Sequence, residues 1–263
     1  YTGLQSVCVL GEGDREGVKL SLIIPVLASY EGLRRQLLHM ERIGLPEDTE
    51  LIIVDDGSDP PLENTSNLPI TIHRTHDTRP WTWAPARNAG AKLAQGEYLL
   101  MFDLDHIVTR ELLDFVVAQD GPRIHFLRRF GILDESGTLS SDRAALRDYG
   151  LTDNRSRIES HHNSFAMKRE LFWELGGYRE DLIGQPYPQG EDSDFYNKWK
   201  SYSEKTGIES TEGPTLYVFP TGRFCGDVDH DEHGLFHSLS RKSKKNYWWN
   251  HQRKKECQDL PKT

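Results

Sequence analysis

Two aspartates in the middle of the chain, Asp103 and Asp105, have the type and spacing of a cation site. They follow an apolar run at 99–102 that is typical of a strand buried on both faces. If the extended conformation continues, both carboxylates point the same way and His106 points away from Asp105. Two such carboxylates repel each other unless a cation lies between them. Mn²⁺ or Mg²⁺, together with phosphate oxygens, suits them. Taken alone, so common a pattern is better explained by two solvated aspartates at a strand end.

A second acidic pair, Asp55 and Asp56, ends another apolar run at 51–54. These carboxylates can accept hydrogen bonds from the N–H groups of a base and from ribose hydroxyls. Gly57, which follows them, permits a tight backbone turn beside a ligand. The alternative is an ordinary acidic turn, and the carboxylates alone do not decide between the two.

Arg87 lies near the start of the next helical pattern, at 84–93, directly after an Ala-Pro-Ala segment. Its guanidinium offers a planar fork of donors that suits a pyrimidine carbonyl or a phosphate. An exposed helix arginine is the alternative interpretation. Arg87 is therefore a candidate for nucleotide binding, and its placement depends on the fold.

The histidines of the chain are densest near the carboxyl end, where His230, His233 and His237 lie within eight residues. Imidazole is a suitable ligand for Mn²⁺ and for Zn²⁺. Acidic residues are interspersed at 227–232, so a separate metal site or a simple acidic loop is also consistent with this segment. No cysteine lies at close spacing, which disfavours a structural zinc.

The elements that must position these groups alternate in type, which predicts an α/β fold with a mostly parallel sheet. In such sheets ligands gather at the carboxyl ends of the strands, where both acidic pairs are expected. The predicted strands are 20–26, 51–54, 70–73, 99–102, 124–127, 163–167 and 216–219; the predicted helices are 30–43, 84–93, 112–117 and 168–175; and 142–157 is predicted as a loop with helical turns.

Composition narrows the class of protein. The 263 residues include 36% hydrophobic and 28% charged residues, typical of a globular domain with a core. A net charge of −9 argues against a general nucleic-acid binder. Cys8, Cys225 and Cys257 are odd in number and lack metal-type spacing, which favours a reducing, cytoplasmic location. The basic stretch at 241–262 is a solvated tail, a phosphate-binding flap or a patch for peripheral contact with an anionic membrane.

Four motifs together carry a resemblance. Their order and spacing resemble those of the GT-A glycosyltransferases, most closely the large inverting family 2, over roughly residues 19 to 200. They are Ser-Leu-Ile-Ile-Pro-Val at 21–26, Ile-Val-Asp-Asp-Gly-Ser at 53–58, Ala-Arg-Asn-Ala-Gly at 86–90 and Asp-Leu-Asp at 103–105.

A fifth motif of the same family is present further on, where Glu191 and Asp192 follow a Gly-Gly segment at 176–177. Acidic residues at a helix start are favoured by its partial positive charge, and that alone explains them. In the family, however, this motif marks the acceptor site, and a carboxylate is needed there to take the proton of the incoming hydroxyl. The resemblance implies that Asp192 is this base and that Glu191 holds an acceptor hydroxyl.

The resemblance implies a single Rossmann-like GT-A catalytic domain over 1–220, with a His-rich and basic segment at 221–263 that closes the donor site. It also implies a metal-dependent inverting transfer of a sugar from a nucleoside diphosphate donor to a hydroxyl of a glycan or glycoconjugate, with UDP as the expected nucleotide. The implied donor-binding residues are Pro25, Asp55, Asp56, Arg87 and Asp103, and the implied ligands of Mn²⁺ or Mg²⁺ are Asp103 and Asp105 with His230 or His233.

Two other functions compete with this hypothesis. A sugar-phosphate nucleotidyltransferase can use the same pair of aspartates, but it needs a Gly-rich, basic loop after the first strand, and residues 25–30 have neither glycine nor a basic residue. A non-catalytic carbohydrate-binding domain would retain aromatic residues that stack on sugars, such as Trp81 and Trp83, and would not need Asp105 or Asp192. Activity measurements discriminate between these possibilities.

Overall fold

A computed structural model of the chain describes residues 17–77, 82–154, 158, 161–182, 190–221 and 235. The three cysteines, the histidines of the carboxyl-terminal cluster and the basic stretch at 241–262 lie outside the described residues. None of the helices in the described ranges combines the length and apolar character needed to cross a membrane.

The described chain forms ten strands and six α-helices around one large sheet. In chain order they are β1 (Leu20–Val26), α1 (Tyr30–Ile43), β2 (Thr49–Asp55), β3 (Ile70–Arg74), α2 (Trp83–Leu93), β4 (Tyr98–Met101), β5 (His106–Ile107), α3 (Arg110–Val117), β6 (Arg123–Phe130), β7 (Ile132–Leu133), β8 (Leu139–Ser140), α4 (Arg143–Asp148), β9 (Phe165–Lys168), α5 (Arg169–Glu174), α6 (Glu191–Thr206) and β10 (Thr211–Val218). A short 3₁₀ helix, Glu180–Leu182, precedes α6.

The large sheet has the strand order β3-β2-β1-β4-β9-β6-β10-β5. Its first four strands are parallel to one another, which is the predicted α/β arrangement. Strand β9 then inserts antiparallel between β4 and β6, while β10 runs parallel to β6. The carboxyl ends of β1, β2 and β4 therefore lie at one edge, and the motif residues that follow these strands gather there.

Two apolar layers cover the sheet because successive strand residues face opposite sides. On one side Leu22 and Ile24 pack in a core with α1 and α3. On the other side Ile23 packs with α2, α5 and α6. At Gly90 of α2 an added Cβ would lie 2.4 Å from Ile23 Cγ2, so only glycine allows the helix to approach the sheet this closely.

The segment after β4 differs from the prediction. Strand β4 ends at Met101, and the chain turns instead of continuing as an extended strand. The His106 N–H donates to the Asp103 carbonyl oxygen at 2.9 Å, which closes this turn. Ligand atoms of Asp105 and His106 lie within 4.8 Å of each other, so the expectation that His106 points away from Asp105 is wrong. Strict alternation of side chains holds only in an extended chain, and this turn departs from it.

Candidate functional site

The turn after β4 brings together three groups that can bind a metal. Ligand atoms of Asp103, Asp105 and His106 lie within 4.8 Å of one another. One oxygen of Asp105, Oδ1, is buried without a hydrogen-bond partner among the described residues. Burial and the neighbouring Asp103 carboxylate raise the pKa of Asp105 to about 7. Close carboxylates with an unpaired buried oxygen fit a hard divalent cation, which would relieve both the repulsion and the lost hydration.

His106 holds this turn through both ring nitrogens. Its Nδ1 accepts a hydrogen bond from the Asp103 backbone N–H at 2.9 Å, and its Nε2 lies 3.1 Å from Ser164 Oγ. Burial lowers the pKa of His106 to about 3, so the ring is neutral and carries its hydrogen on Nε2. The ring is therefore engaged in fixing the turn, and the two aspartates are the groups left to face a cation.

Arg87 joins this turn to helix α6. Its side chain is only 2% exposed, and Nη2 lies 2.5 Å from Asp103 Oδ1 while Nη1 lies 3.6 Å from Glu191 Oε1. The rings of Trp83 and Tyr178 lie 5.9 and 5.5 Å from the guanidinium carbon. Burial disfavours the charged form of Asp103, but Arg87 outweighs it and holds the pKa of this carboxyl at about 2. The arginine thus bridges the candidate metal group and the candidate acceptor group.

The neighbouring Asn88 links helix α2 to the loop before α6. Its side-chain nitrogen donates to the Tyr178 carbonyl oxygen at 2.9 Å, and its side-chain oxygen accepts from the Tyr178 N–H at 3.0 Å. The Tyr178 hydroxyl in turn donates to Asn163 Oδ1 at 3.0 Å. These buried hydrogen bonds hold the Arg-Asn pair of α2 against the segments that precede α6 and β9.

Asp55 and Asp56 lie at the end of β2 and already bind protein groups. The Asp55 carboxylate accepts from the Ser58 N–H at 2.8 Å and the Leu62 N–H at 3.2 Å. Asp56 accepts from Thr82 Oγ1 at 2.7 Å, and burial raises its pKa well above the ordinary range. These contacts shape the loops at the carboxyl edge of the sheet, and nucleoside binding by either residue stays a prediction.

The loop after β1 is linked to the loop after β2, because Ser58 Oγ accepts a hydrogen bond from the Ala28 N–H at 2.8 Å. Pro25 lies within β1, beside Val54 of β2, two residues before this loop begins at Leu27. Its predicted place in the donor site rests on this position at the same edge of the sheet, and direct contact with a nucleotide stays a prediction.

Helix α6 begins at Glu191, as the motif predicts, and presents two carboxylates. Asp192 Oδ1 accepts a hydrogen bond from the Ser193 N–H at 2.7 Å, and its side chain is 22% exposed. Burial raises the pKa of Glu191, and the carboxylates of Asp192 and Asp103 add to this rise although Arg87 opposes it. Asp192 is thus the more accessible of the two carboxylates that the sequence places here, which suits a group that must meet an incoming hydroxyl.

A histidine that was not predicted as a site residue lies beside Asp192. The Nε2 atom of His161 is 3.6 Å from Asp192 Oδ2. The doublet formed with His162, just before the predicted strand at 163–167, is the pattern in the sequence that could have drawn attention to it. Its partner lies in a helix distant in the chain, so only the fold identifies the contact.

The predicted third metal ligands, His230 and His233, lie outside the described residues, and their role stays a prediction. Leu235, two positions after His233, is described and is 4% exposed. A Cβ added at Gly32 in α1 would lie 2.1 Å from the Leu235 carbonyl oxygen and 3.2 Å from Leu104 Cδ2. Leu235 therefore packs against α1 next to the residue between the two candidate metal-binding aspartates.

Comparison with known proteins places these features in context. Residues 21–176 match the family model described as Glycosyl transferase family 2. A curated protein of Haemophilus influenzae, described as an uncharacterized glycosyltransferase, is 26% identical over 227 residues, covering 80% of this chain and 71% of the relative.

Solved structures show the same fold at low sequence identity. TarS 1-349 of S. aureus matches 77% of this chain at 17% identity with a TM-score of 0.51, and a TarS structure in complex with UDP matches equally well. The mannosyltransferase PcManGT of Pyrobaculum calidifontis, in complex with GDP-Man and Mn²⁺, matches 81% at 15% identity with a TM-score of 0.52. The matched part spans 60% of TarS 1-349 and of the mannosyltransferase.

Proposed function

The chain belongs to glycosyl transferase family 2, and from this premise we propose that it is a metal-dependent inverting glycosyltransferase. It moves a sugar from a nucleoside diphosphate donor to a hydroxyl of a glycan or glycoconjugate. UDP is the proposed nucleotide, in keeping with the TarS complex, while the GDP-Man complex of the mannosyltransferase makes GDP the first competitor. The segment at 221–263 is proposed to close the donor site.

One observation carries the proposal: a single buried arginine touches both groups that the reaction requires. Arg87 contacts Asp103 of the candidate metal group at 2.5 Å and Glu191 of the candidate acceptor group at 3.6 Å. A transferase must hold donor and acceptor in one place, since the new bond joins them. A domain that only binds carbohydrate has no need to bring Asp103 and Glu191 together around one buried arginine.

Asp103 and Asp105 would hold the metal, with His230 or His233 as the proposed third ligand. The bound ion would supply positive charge to the diphosphate as it departs. The unpaired Asp105 Oδ1 and the raised pKa of this carboxyl support the assignment, because a nearby cation would stabilise the charged form of such an acid. Pro25, Asp55, Asp56 and Arg87 are proposed to form the nucleotide-facing edge.

Asp192 is proposed as the general base. Its carboxylate takes the proton of the acceptor hydroxyl while the acceptor oxygen forms a bond to the anomeric carbon. The bond from that carbon to the diphosphate oxygen breaks in the same step, which inverts the configuration. The location of Asp192 beside Glu191, with Oδ1 fixed by the Ser193 N–H, keeps the carboxylate oriented for this transfer.

A donor panel tests the proposal. The protein is mixed with Mn²⁺ and each common nucleotide sugar, and release of nucleoside diphosphate is followed with and without a chelator. We expect turnover of one donor that disappears with the chelator. Absence of both turnover and metal-dependent nucleotide binding across the panel would overturn the proposal and favour a binding domain. Release of pyrophosphate from a nucleoside triphosphate and a sugar phosphate would instead indicate a nucleotidyltransferase.

A matched pair of variants tests the base. Asp192→Asn is expected to lower transfer to the acceptor by roughly 10²-fold to 10⁴-fold, because the hydroxyl proton has no acceptor. Asp194→Asn, one position further along, is the control, since Asp194 pairs with Lys198 at 3.4 Å. Equal activity of Asp192→Asn and wild type would remove Asp192 from the mechanism while leaving the donor assignment intact.

A further inference from the structure

The first turn of α6 is held by two adjacent histidines from the segment before β9. His161 Nε2 lies 3.6 Å from Asp192 Oδ2. The ring of His162 stacks on Tyr196 at a centroid distance of 4.4 Å, and its Nδ1 lies 3.2 Å from Ser193 Oγ. The two neighbours thus contact the same helix turn, but only His161 reaches the carboxylate of the proposed base.

The protonation of His161 follows from its surroundings. The Asn163 backbone N–H donates to His161 Nδ1 at 3.3 Å. A backbone N–H can only donate, so Nδ1 is the bare nitrogen and the hydrogen of the neutral ring lies on Nε2. Burial lowers the pKa of His161, which favours this neutral form. The ring is consequently fixed with its one N–H donor on the side of Asp192.

We propose that His161 is a positioning residue for the glycosyl transfer, whose Nε2–H holds Asp192 Oδ2 and so orients the base toward the acceptor. This inference rests on the proposed function of Asp192. Oδ1 is bound by the Ser193 N–H, and Oδ2 faces Nε2–H at 3.6 Å, a distance that a small side-chain adjustment brings within hydrogen-bond range. Both oxygens of the carboxylate are then held, which fixes its orientation.

Other titratable and charged groups face His161 from the elements packed around it. They are Asp192 of α6, Asp103 and His106 of the turn after β4, Arg128 of β6 and Arg87 of α2. The two arginines disfavour a positive charge on the His161 ring, while the two aspartates favour it. His161 therefore lies between the acids of the donor side and the base of the acceptor side.

Three variants test the role: His161→Phe, His161→Gln and His162→Phe. Phenylalanine keeps a ring but has no donor, whereas the amide nitrogen of glutamine can replace Nε2–H. The measurement is kcat and KM for donor and acceptor at saturating Mn²⁺. His161→Phe should lower kcat on the order of tenfold to hundredfold.

The other two variants separate positioning from folding. His161→Gln should recover most of kcat, while donor KM stays close to wild type in both His161 variants. His162→Phe, the matched control, should lower the melting temperature through its lost Ser193 contact and leave kcat close to that of wild type. A purely structural role for His161 would give parallel effects of both phenylalanine variants and no rescue by glutamine, and it would overturn the proposal.

The same assay distinguishes failure of this inference from failure of the proposed function. If Asp192→Asn is inactive and His161→Phe keeps the wild-type kcat, Asp192 stands as the base and the role of His161 is refuted. If Asp192→Asn remains fully active, the base assignment falls and the role of His161 falls with it. An inactive Asp192→Asn, together with a lowered kcat in His161→Phe that His161→Gln restores, supports both.

Discussion

Asp105→Asn should stabilise the metal-free protein while removing its response to metal. Burial and the adjacent Asp103 raise the pKa of Asp105 from 3.8 to about 7. The folded protein therefore binds a proton more tightly than the unfolded chain does. The free energy of unfolding of the apo protein falls as the pH rises from about 4 to about 7. Asparagine cannot ionise, so the free energy of unfolding of Asp105→Asn does not fall in this way as the pH rises.

The magnitude follows from the size of the pKa change. A rise from 3.8 to about 7 corresponds to roughly 4 kcal/mol of unfavourable ionisation free energy in the folded state. Asp105 keeps partial contact with solvent, so we expect a gain of about 2 kcal/mol above pH 7. Excess Mn²⁺ at a hundred times its dissociation constant should stabilise the wild type by about 2.7 kcal/mol and the variant hardly at all.

The assay is urea unfolding with chelator and with Mn²⁺, at several pH values between 4 and 8. Asp103→Asn is the matched control with the opposite sign, because Asp103 is paired with Arg87 at 2.5 Å and its pKa is lowered to about 2. That variant should be less stable than wild type without metal. The reasoning is refuted if apo Asp105→Asn is less stable than wild type above pH 7, or if Mn²⁺ stabilises both proteins equally.

Three further substitutions test the packing that builds the site. Arg87→Met should cost about 3 kcal/mol in urea unfolding at pH 7, because it leaves two carboxylates without their buried partner. Gly90→Ala should lower stability by roughly 1–3 kcal/mol despite the higher helix propensity of alanine, since its methyl group would meet Ile23 Cγ2 at 2.4 Å. Gly32→Ala should lower the melting temperature, because its methyl group would meet the Leu235 carbonyl oxygen at 2.1 Å.

Controls for these substitutions are available in the same chain. At Gly121 an added Cβ would meet only the Thr211 hydroxyl oxygen, at 3.1 Å, so Gly121→Ala should cost less than either of the other glycine variants. A melting temperature of Gly90→Ala above that of wild type would contradict the close packing of α2. For Arg87→Met, the decrease in the free energy of unfolding should become smaller at low pH, where the carboxylates of Asp103 and Glu191 are protonated. A decrease that does not depend on pH would contradict the pairing.

The elements of the first half could be predicted because they depend on local pattern. The bounds predicted for β1 and α1, 20–26 and 30–43, are those of the structure, and α1 ends before Gly44 as expected. Continuous apolar runs identify strands covered on both faces, and helical periodicity identifies α1. The start of α6 at Glu191 could also be predicted, because acidic residues are favoured in the first turn of a helix.

The sequence by itself determined which groups are available: the two acidic pairs, Arg87 and the carboxylates of α6. The tertiary structure decided which of them meet. Strand alternation failed at His106 because a hydrogen-bonded turn replaced the extended chain, and nothing local signalled it. The partners of Arg87 and of His161 come from distant segments, joined only when β4 and α6 reach the same edge of the sheet. Contacts of this kind depend on where whole elements pack, whereas the patterns of a sequence record only what its neighbouring residues prefer.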